Sequence, residues 1–265
     1  GDDVFSGYRR HQAVKLERWF SVMPGAFKNL LHKAGGILPR QNATLRRFTK
    51  VTDQLNLNTA ERLFNYFTWI PNDRALNLFL PEIGNELKGY DQNASFLGEL
   101  NNIPEEKNWL NKMLFWEMKS FMVDHNLNYT DKMSMATGME VRVPFLDTEL
   151  VKLSAKLHPD LKLKGTTTKY LLKKVMERYL PNEVIYRPKT GFGAPVRKWI
   201  IEDMDQMIED RLSTENLRQQ GIFDPNAIQE LIKDNRSGKI DASYTIWSLL
   251  SISTWIKQFK SANSE

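Results

Sequence analysis

Cysteine is absent from the 265 residues of this sequence, and its absence removes several kinds of chemistry. The chain can form no disulfide, no thiolate zinc site and no cysteine nucleophile. A chain without cysteine is compatible with the cytoplasm, which is the location we expect. Histidine is scarce, and its spacing does not suit metal ligands, so we expect these residues at the surface or at helix caps: His11, His32, His125 and His158.

Long apolar runs and strand signals are also missing. No apolar run is long enough to span a bilayer, and the acidic first residues lack the order of a secretory signal. Residues 141–144 (VRVP) are too short to anchor a sheet, and Pro144 cannot donate a hydrogen bond within one. We therefore expect a mainly α chain with no membrane partner.

The composition is that of a globular protein. Hydrophobic residues make up 41% of the chain and charged residues 26%, which is far from a disordered composition. The net charge of +5 favours anionic partners such as nucleotides or pyrophosphate. The same charge also suits a protein that needs it only for solubility.

Local signals predict where helices begin and end. Residues 3–33 read as one helix or two, with a break at Pro24 and Gly25. Asn58 or Thr59 is a suitable cap for the helix that follows it. A helix is predicted over 104–123, with Pro104 in its first turn.

The later part of the chain carries equally clear helix signals. Asp147 is predicted to cap a helix that points its leucines inward, and Thr167 or Thr168 is predicted to open the next one. Asp224 followed by Pro225 predicts another helix start. The apolar stripe of residues 243–259 is so wide that we expect this helix to be buried.

Three segments carry chemistry that core packing does not require. The chain opens with two adjacent carboxylates next to glycine, Asp2 and Asp3, and residues 187–195 (RPKTGFGAP) hold cations in a loop rich in glycine and proline. Residues 133–147 place Glu140 and Arg142 inside an apolar run, where charge is costly unless it is paired. Together these segments suggest an anion and metal site assembled from distant parts of the chain.

The same segments resemble one enzyme family. Residues 1–10 (GDDVFSGYRR) resemble its G-D-E-hydrophobic-F-x-G-Y-R-R segment, with Asp3 in place of the usual Glu. Residues 131–147 resemble its D-R-x-S-M…E-x-R-V-P-F-L-D signature, and residues 161–172 and 186–193 match further segments. Over nearly its whole length the chain is similar to the C-terminal part of the synthetase domain of glutamine-dependent asparagine synthetases.

The resemblance implies a fold and a reaction. Residues 1–265 would be the C-terminal helical portion of an α/β PP-loop ATP pyrophosphatase domain, of the adenine nucleotide alpha hydrolase type. The family's S-G-G-x-D-S phosphate loop and its N-terminal cysteine are absent here. We therefore expect a piece of a larger protein that is inactive alone. The implied partners are ATP, Mg²⁺, aspartate and ammonia derived from glutamine, and a homodimer stays open.

The resemblance also assigns roles to four residues. Asp2 aligns with a magnesium-binding carboxylate, and Lys189 aligns with a catalytic lysine that contacts the α-phosphate or pyrophosphate. Lys169 and Arg187 are predicted to bind the nucleotide or pyrophosphate. Each role has a simpler alternative: Asp2 and its neighbour cap a helix, the two lysines are solvated, and Arg187 pairs with a carboxylate as scaffold.

Two other readings stay open. Glu140 and Arg142 are two residues apart and are predicted to form a structural pair beneath the active site. A basic face on the first helices favours a nucleic-acid-binding module, although aromatic residues interleaved with it are lacking: Arg9, Arg10, Lys15 and Arg18. A third possibility is a helical scaffold without activity. We expect the ligase, without a nucleic-acid partner.

Overall fold

The computed structural model of the chain describes residues 1–37, 45, 49, 51–105, 107–188 and 193–261. Their helices, in chain order, are α1 (Asp2–Phe5), α2 (Arg9–Val14), α3 (Glu17–Val22), α4 (Gly25–Ile37), α5 (Thr59–Asn65), α6 (Asn72–Leu76), α7 (Pro81–Glu86), α8 (Ala94–Asn101), α9 (Trp109–Lys119), α10 (Asn128–Met135), α11 (Thr148–Lys156), α12 (Pro159–Lys162), α13 (Tyr170–Met176), α14 (Asn182–Ile185), α15 (Val196–Lys198), α16 (Asp205–Leu212), α17 (Thr214–Gln220), α18 (Pro225–Arg236) and α19 (Ser243–Ser261). Two π-helices, Phe121–Leu127 and Trp199–Asp203, and a 3₁₀ turn, Pro144–Leu146, complete them.

The prediction of a mainly α chain is confirmed for these residues. Extended pairing among them is limited to two isolated bridges, Phe79 with Phe223 and Lys164 with Thr167. None of the described helices is both long and apolar enough to cross a membrane. The helical content agrees with part of a PP-loop domain, whose identity stays a prediction.

The chain forms two compact units. Unit 1 comprises Gly1–Met23 and Asn93–Thr190, and unit 2 comprises Pro24–Gln92 and Gly191–Glu265. The first boundary falls at the predicted break before Gly25. The prediction of one or two helices over 3–33 is wrong, because three short helices precede that break. The first interruption is Ser6, whose φ of 64° is left-handed and cannot continue a right-handed helix.

Helix α9 is the centre of unit 1. Its Leu110, Met113 and Leu114 are at most 2% exposed, and α1, α2 and α8 pack against it. The predicted start at Pro104 is wrong, because Asn108 Oδ1 accepts the Leu110 N–H over 2.8 Å and sets the first turn there. This helix therefore supplies the apolar support for the first residues of the chain.

Unit 2 has its core between α16 and α19. Asp224 Oδ1 accepts the N–H groups of the first turn of α18, so the predicted cap is confirmed. The prediction that α19 is buried is wrong for one face: Trp255 is 61% exposed and Phe259 49%, while Ile246 is fully buried. One face of α19 packs against α16 and the π-helix Trp199–Asp203, so the aromatic residues on the opposite face of α19 remain exposed.

Lys162 is a buried cation at the end of α12, and its removal has a predictable effect. The side chain is 3% exposed, and its Nζ donates to Asn111 Oδ1 over 3.1 Å. Burial lowers the pKa of Lys162 from 10.5 to about 8. We expect Lys162→Met to raise the free energy of unfolding by about 2 kcal/mol at pH 7, measured by urea unfolding.

The pH dependence gives this prediction its sign. Folded Lys162 loses its proton near pH 8, and the unfolded side chain loses it near 10.5, so the cost of burial is fully present below pH 8. The advantage of the variant should then shrink as the pH rises from 8 to 10.5. Lys156→Met, at an exposed position on α11, should show neither effect. A pH-independent difference would contradict this account.

Candidate functional site

The first turn of α1 presents two carboxylates. Gly1 occupies the N-cap position, and Asp2 and Asp3 lie in the first turn, where a negative charge is favoured by the helix dipole. The alternative in which these side chains cap the helix is therefore wrong. The Asp2 carboxylate is partly accessible, with 27% of the side chain exposed, whereas Asp3 is only 8% exposed.

Gly7 packs directly against the Asp2 side chain. A Cβ atom at Gly7 would lie 1.7 Å from Asp2 Oδ1 and 2.8 Å from its Cα. The backbone turns back on itself here, because the Gly7 N–H donates to the Asp2 carbonyl over 2.8 Å. The glycine of the Ser-Gly-Tyr segment is thus required by close approach to a carboxylate.

Lys169 reaches the Asp2 carboxylate from a segment far along the chain. Its Nζ lies 3.1 Å from Asp2 Oδ1, with 30% of the lysine side chain exposed. Lys169 is the N-cap of α13 in a left-handed conformation with φ of 53°, and its N–H donates to the Ser6 carbonyl over 3.3 Å. The predicted opening of this helix at Thr167 or Thr168 is wrong. The structure does bring together two of the predicted site residues.

A further cation lies beside this pair. Lys173 follows one turn later on α13, where burial and the charge of Lys169 lower the pKa of Lys173. Its Nζ lies 5.5 Å from the centre of the Tyr186 ring, and the next residue, Arg187, is exposed. Lys189 lies outside the described residues, so its position stays a prediction.

A buried ionic network connects α2 to α9. Glu117 is fully buried, and its carboxylate bonds to Arg10 Nε through Oε1 and to His11 Nε2 through Oε2, the latter over 2.7 Å. The Arg10 guanidinium lies between two rings, 4.0 Å from the centre of Tyr8 and 4.5 Å from that of Phe121. The network therefore combines charge pairing with cation–π contacts.

The hydrogen bonds of His11 define its tautomer. His11 Nδ1 accepts the Tyr8 N–H over 3.3 Å, so the proton lies on Nε2 and is donated to Glu117. The expectation of a surface or cap position is wrong for His11, which is fully buried. It is confirmed for His158, whose Nδ1 accepts the Asp160 N–H and caps α12.

The network continues to the residue beside Asp2. Tyr8 Oη donates to Asp3 Oδ2 over 3.4 Å and accepts a hydrogen bond from Asn126 Nδ2 over 3.2 Å. Burial and then the charge of Glu117 raise the pKa of Asp3. Burial and then the charge of Asp3 raise the pKa of Tyr8. The two carboxylates of α1 thus differ: Asp2 pairs with a lysine near the surface, whereas Asp3 is part of the buried network.

The charged pair in the apolar run is present but lies at the surface. Arg142 Nη2 lies 2.8 Å from Glu140 Oε1, which confirms the predicted pairing. Both side chains are exposed, by 83% and 69%, so the predicted position beneath the site is wrong for the described chain. Downstream, Asp147 caps α11 as predicted, whereas Leu153 is 54% exposed instead of pointing inward.

The donor atoms at Asp2 suit magnesium better than zinc. Across the described residues no group of three histidine, aspartate or glutamate side chains could hold a metal ion. Magnesium often keeps several waters and takes one or two carboxylates together with phosphate oxygens. A single, partly exposed carboxylate beside cations that suit phosphate therefore fits an ion that binds with a phosphate ligand.

Comparison with known proteins identifies a matching family and several relatives. A family model described as asparagine synthase matches residues 1–257. Asparagine synthetase [glutamine-hydrolyzing] 1 of Bacillus subtilis is 26% identical over 257 residues, which cover 96% of this chain and 38% of that protein. A putative asparagine synthetase [glutamine-hydrolyzing] of Mycobacterium tuberculosis is 35% identical over 260 residues, with 96% and 37% covered.

A further relative, matched over a shorter part of the chain, has a different name. Amidase chyE of Penicillium rubens is 28% identical over 158 residues, which cover 57% of this chain and 24% of that protein. No solved structure matches. The chain thus spans less than two fifths of the length of the two asparagine synthetase relatives described above. The family model, by contrast, covers nearly the whole chain, and the chain belongs to the asparagine synthase family.

Proposed function

We propose that this chain supplies the magnesium- and pyrophosphate-handling part of an ATP-dependent, amidotransferring asparagine synthetase. The family match over residues 1–257 carries the proposal. The ion pair between Asp2 and Lys169 supports it, because it joins a carboxylate and a cation from two segments that resemble the family's motifs. We place the enzyme in the cytoplasm.

The proposed reaction has two steps. A side-chain carboxylate oxygen of aspartate attacks the α-phosphorus of ATP, and the bond to pyrophosphate breaks. Ammonia then attacks the adenylated carbonyl carbon, loses a proton and displaces AMP, which leaves asparagine. The relatives' names include glutamine hydrolysis, so glutamine is the proposed source of the ammonia.

This chain's residues would act on the first step. Asp2 would hold Mg²⁺, which supplies positive charge to the phosphate oxygens as pyrophosphate departs. Lys169 and Arg187 would offset the remaining charge, and Lys189 would contact the α-phosphate as the catalytic lysine. Cations positioned before the reaction stabilise such charge most effectively.

The alternative of a nucleic-acid-binding module loses its main support. Only 17% of the Arg10 side chain is exposed, and it is engaged with Glu117, so it cannot belong to an open basic face. Lys15 pairs with Asp160 over 3.1 Å, which reduces the charge of that face further. We therefore propose no nucleic-acid partner.

Titration calorimetry with Mg²⁺ and inorganic pyrophosphate tests the proposal on this chain. We expect the wild-type chain to bind the complex and Asp2→Asn to bind it about tenfold more weakly, because the metal loses its charged ligand. Asp160→Asn removes the same charge from an exposed site in unit 1 and should leave binding unchanged. Equal affinities for wild type and Asp2→Asn, or no binding by wild type, would contradict the proposal.

A further inference from the structure

Asp2 is already paired with a cation that belongs to the chain. The Lys169 ammonium lies 3.1 Å from Asp2 Oδ1, and both side chains are about seven-tenths buried. The N–H of Lys169 also donates to the Ser6 carbonyl, which fixes its backbone against the end of α1. The lysine is thus held at this carboxylate by its main chain as well as by its charge.

The paired oxygen is enclosed on both sides. Asp2 Oδ1 is shielded from solvent, with the Gly7 backbone on one side and Lys169 Nζ at 3.1 Å. A hydrated magnesium ion gives up its waters reluctantly, so it would have to displace the ammonium or bind the second carboxylate oxygen beside it. Either route places a divalent cation close to a positive charge that is already present.

A phosphate-bearing ligand offsets the electrostatic repulsion between the metal ion and Lys169. A free cation near Asp2 is repelled by Lys169, and Lys173 adds a second positive charge one helical turn away. Pyrophosphate brings enough negative charge to attract the metal ion and the ammonium together. The lysine that opposes the metal alone therefore favours the metal–pyrophosphate complex.

We propose that Lys169 is a built-in counterion of Asp2, which prevents a divalent cation from binding alone and makes metal binding depend on a phosphate-bearing ligand. The proposal rests on the proposed function, since it concerns the same carboxylate. It adds a positioning role for Lys169 in the ligand-free chain and an order of binding, in which the metal arrives together with the phosphates.

Mn²⁺ titrations followed by electron paramagnetic resonance test this inference. The titrations use the full chain, once with Mn²⁺ alone and once with Mn²⁺ and inorganic pyrophosphate. For Mn²⁺ alone we expect Lys169→Met to bind about tenfold more tightly than wild type, because the competing charge is gone. The enhancement of Mn²⁺ binding by pyrophosphate, large in wild type, should fall by a similar factor.

Two variants control for charge and for folding. Lys156→Met removes the same charge from an exposed position on α11 and should leave Mn²⁺ affinity unchanged. Lys169→Arg keeps the charge and should behave as wild type. If Lys169→Met does not fold, Lys169→Gly carries the same test, because glycine accepts the left-handed backbone without strain.

The outcomes separate this inference from the proposed function. Unchanged Mn²⁺ affinity in Lys169→Met, with pyrophosphate-dependent binding that still requires Asp2, overturns the counterion role alone. Tight Mn²⁺ binding by wild type without pyrophosphate does the same. Absence of any Mn²⁺–pyrophosphate binding overturns both proposals.

Discussion

Replacing Glu117 with alanine is expected to lower the free energy of unfolding by about 3–5 kcal/mol. Glu117 is fully buried, and its removal takes away the carboxylate that bonds to Arg10 Nε and His11 Nε2 in the interior of unit 1. Breaking a buried ion pair by removing one partner costs far more free energy than the intact pair contributes. Urea unfolding followed by circular dichroism measures the loss.

A surface carboxylate provides the matched control. Glu99 also pairs with a cation in unit 1, Lys119 Nζ at 2.6 Å, but its side chain is 30% exposed and that of Lys119 is 49% exposed. Glu99→Ala should cost less than about 1 kcal/mol. Glu117→Gln, which keeps an acceptor for His11 but loses the charge facing Arg10, should fall between the two. Equal costs for Glu117→Ala and Glu99→Ala would show that the network does not stabilise the fold.

Gly7→Ala is expected to weaken binding of the magnesium–pyrophosphate complex by about tenfold or more and to destabilise the chain. The new methyl carbon would lie 1.7 Å from Asp2 Oδ1, a distance that no real Cβ contact shows, so the carboxylate must leave its place beside Lys169. The Asp2 Cα atom at 2.8 Å cannot move as a flexible side chain would, so α1 must shift as well. Titration calorimetry and thermal unfolding report the two effects separately.

Gly98→Ala is the matched substitution with the opposite sign. Gly98 lies in α8 of unit 1, and a Cβ atom there would meet nothing within 4 Å. Alanine favours the helix over glycine by roughly 0.5–1 kcal/mol, so this variant should be slightly more stable and should bind as wild type. Wild-type binding by Gly7→Ala would contradict the position of Asp2 described above.

Local chemistry made much of the helix pattern predictable. Asn58, Asp147 and Asp224 are confirmed caps, because a cap depends on an oxygen that bonds N–H groups only two or three residues ahead. The pairing of Glu140 with Arg142 is predictable for the same reason, since they are only two positions apart in the sequence. Neighbours in sequence contain the information for such contacts.

Contacts between segments far apart in the sequence could not be predicted from local sequence signals. His11 meets Glu117 across 106 residues, and no spacing rule links them, although a glutamate within the apolar stripe of α9 was an available signal. Lys169 was predicted near phosphate by resemblance alone, and its contact with Asp2 depends on how α13 approaches α1. The aromatic face of α19 misled the prediction, because periodicity does not say how many faces find a neighbour.

The backbone around Asp2 and Lys169 carries local conformational strain. Ser6 and Lys169 are the non-glycine residues with positive φ in the described part of the chain, and a hydrogen bond joins them. Each conformation costs of order 1–2 kcal/mol, which rearrangement of the corner would release. Amide protons at this corner should therefore exchange with solvent before those of α9, because the strain beside the carboxylate offsets part of what holds it in place.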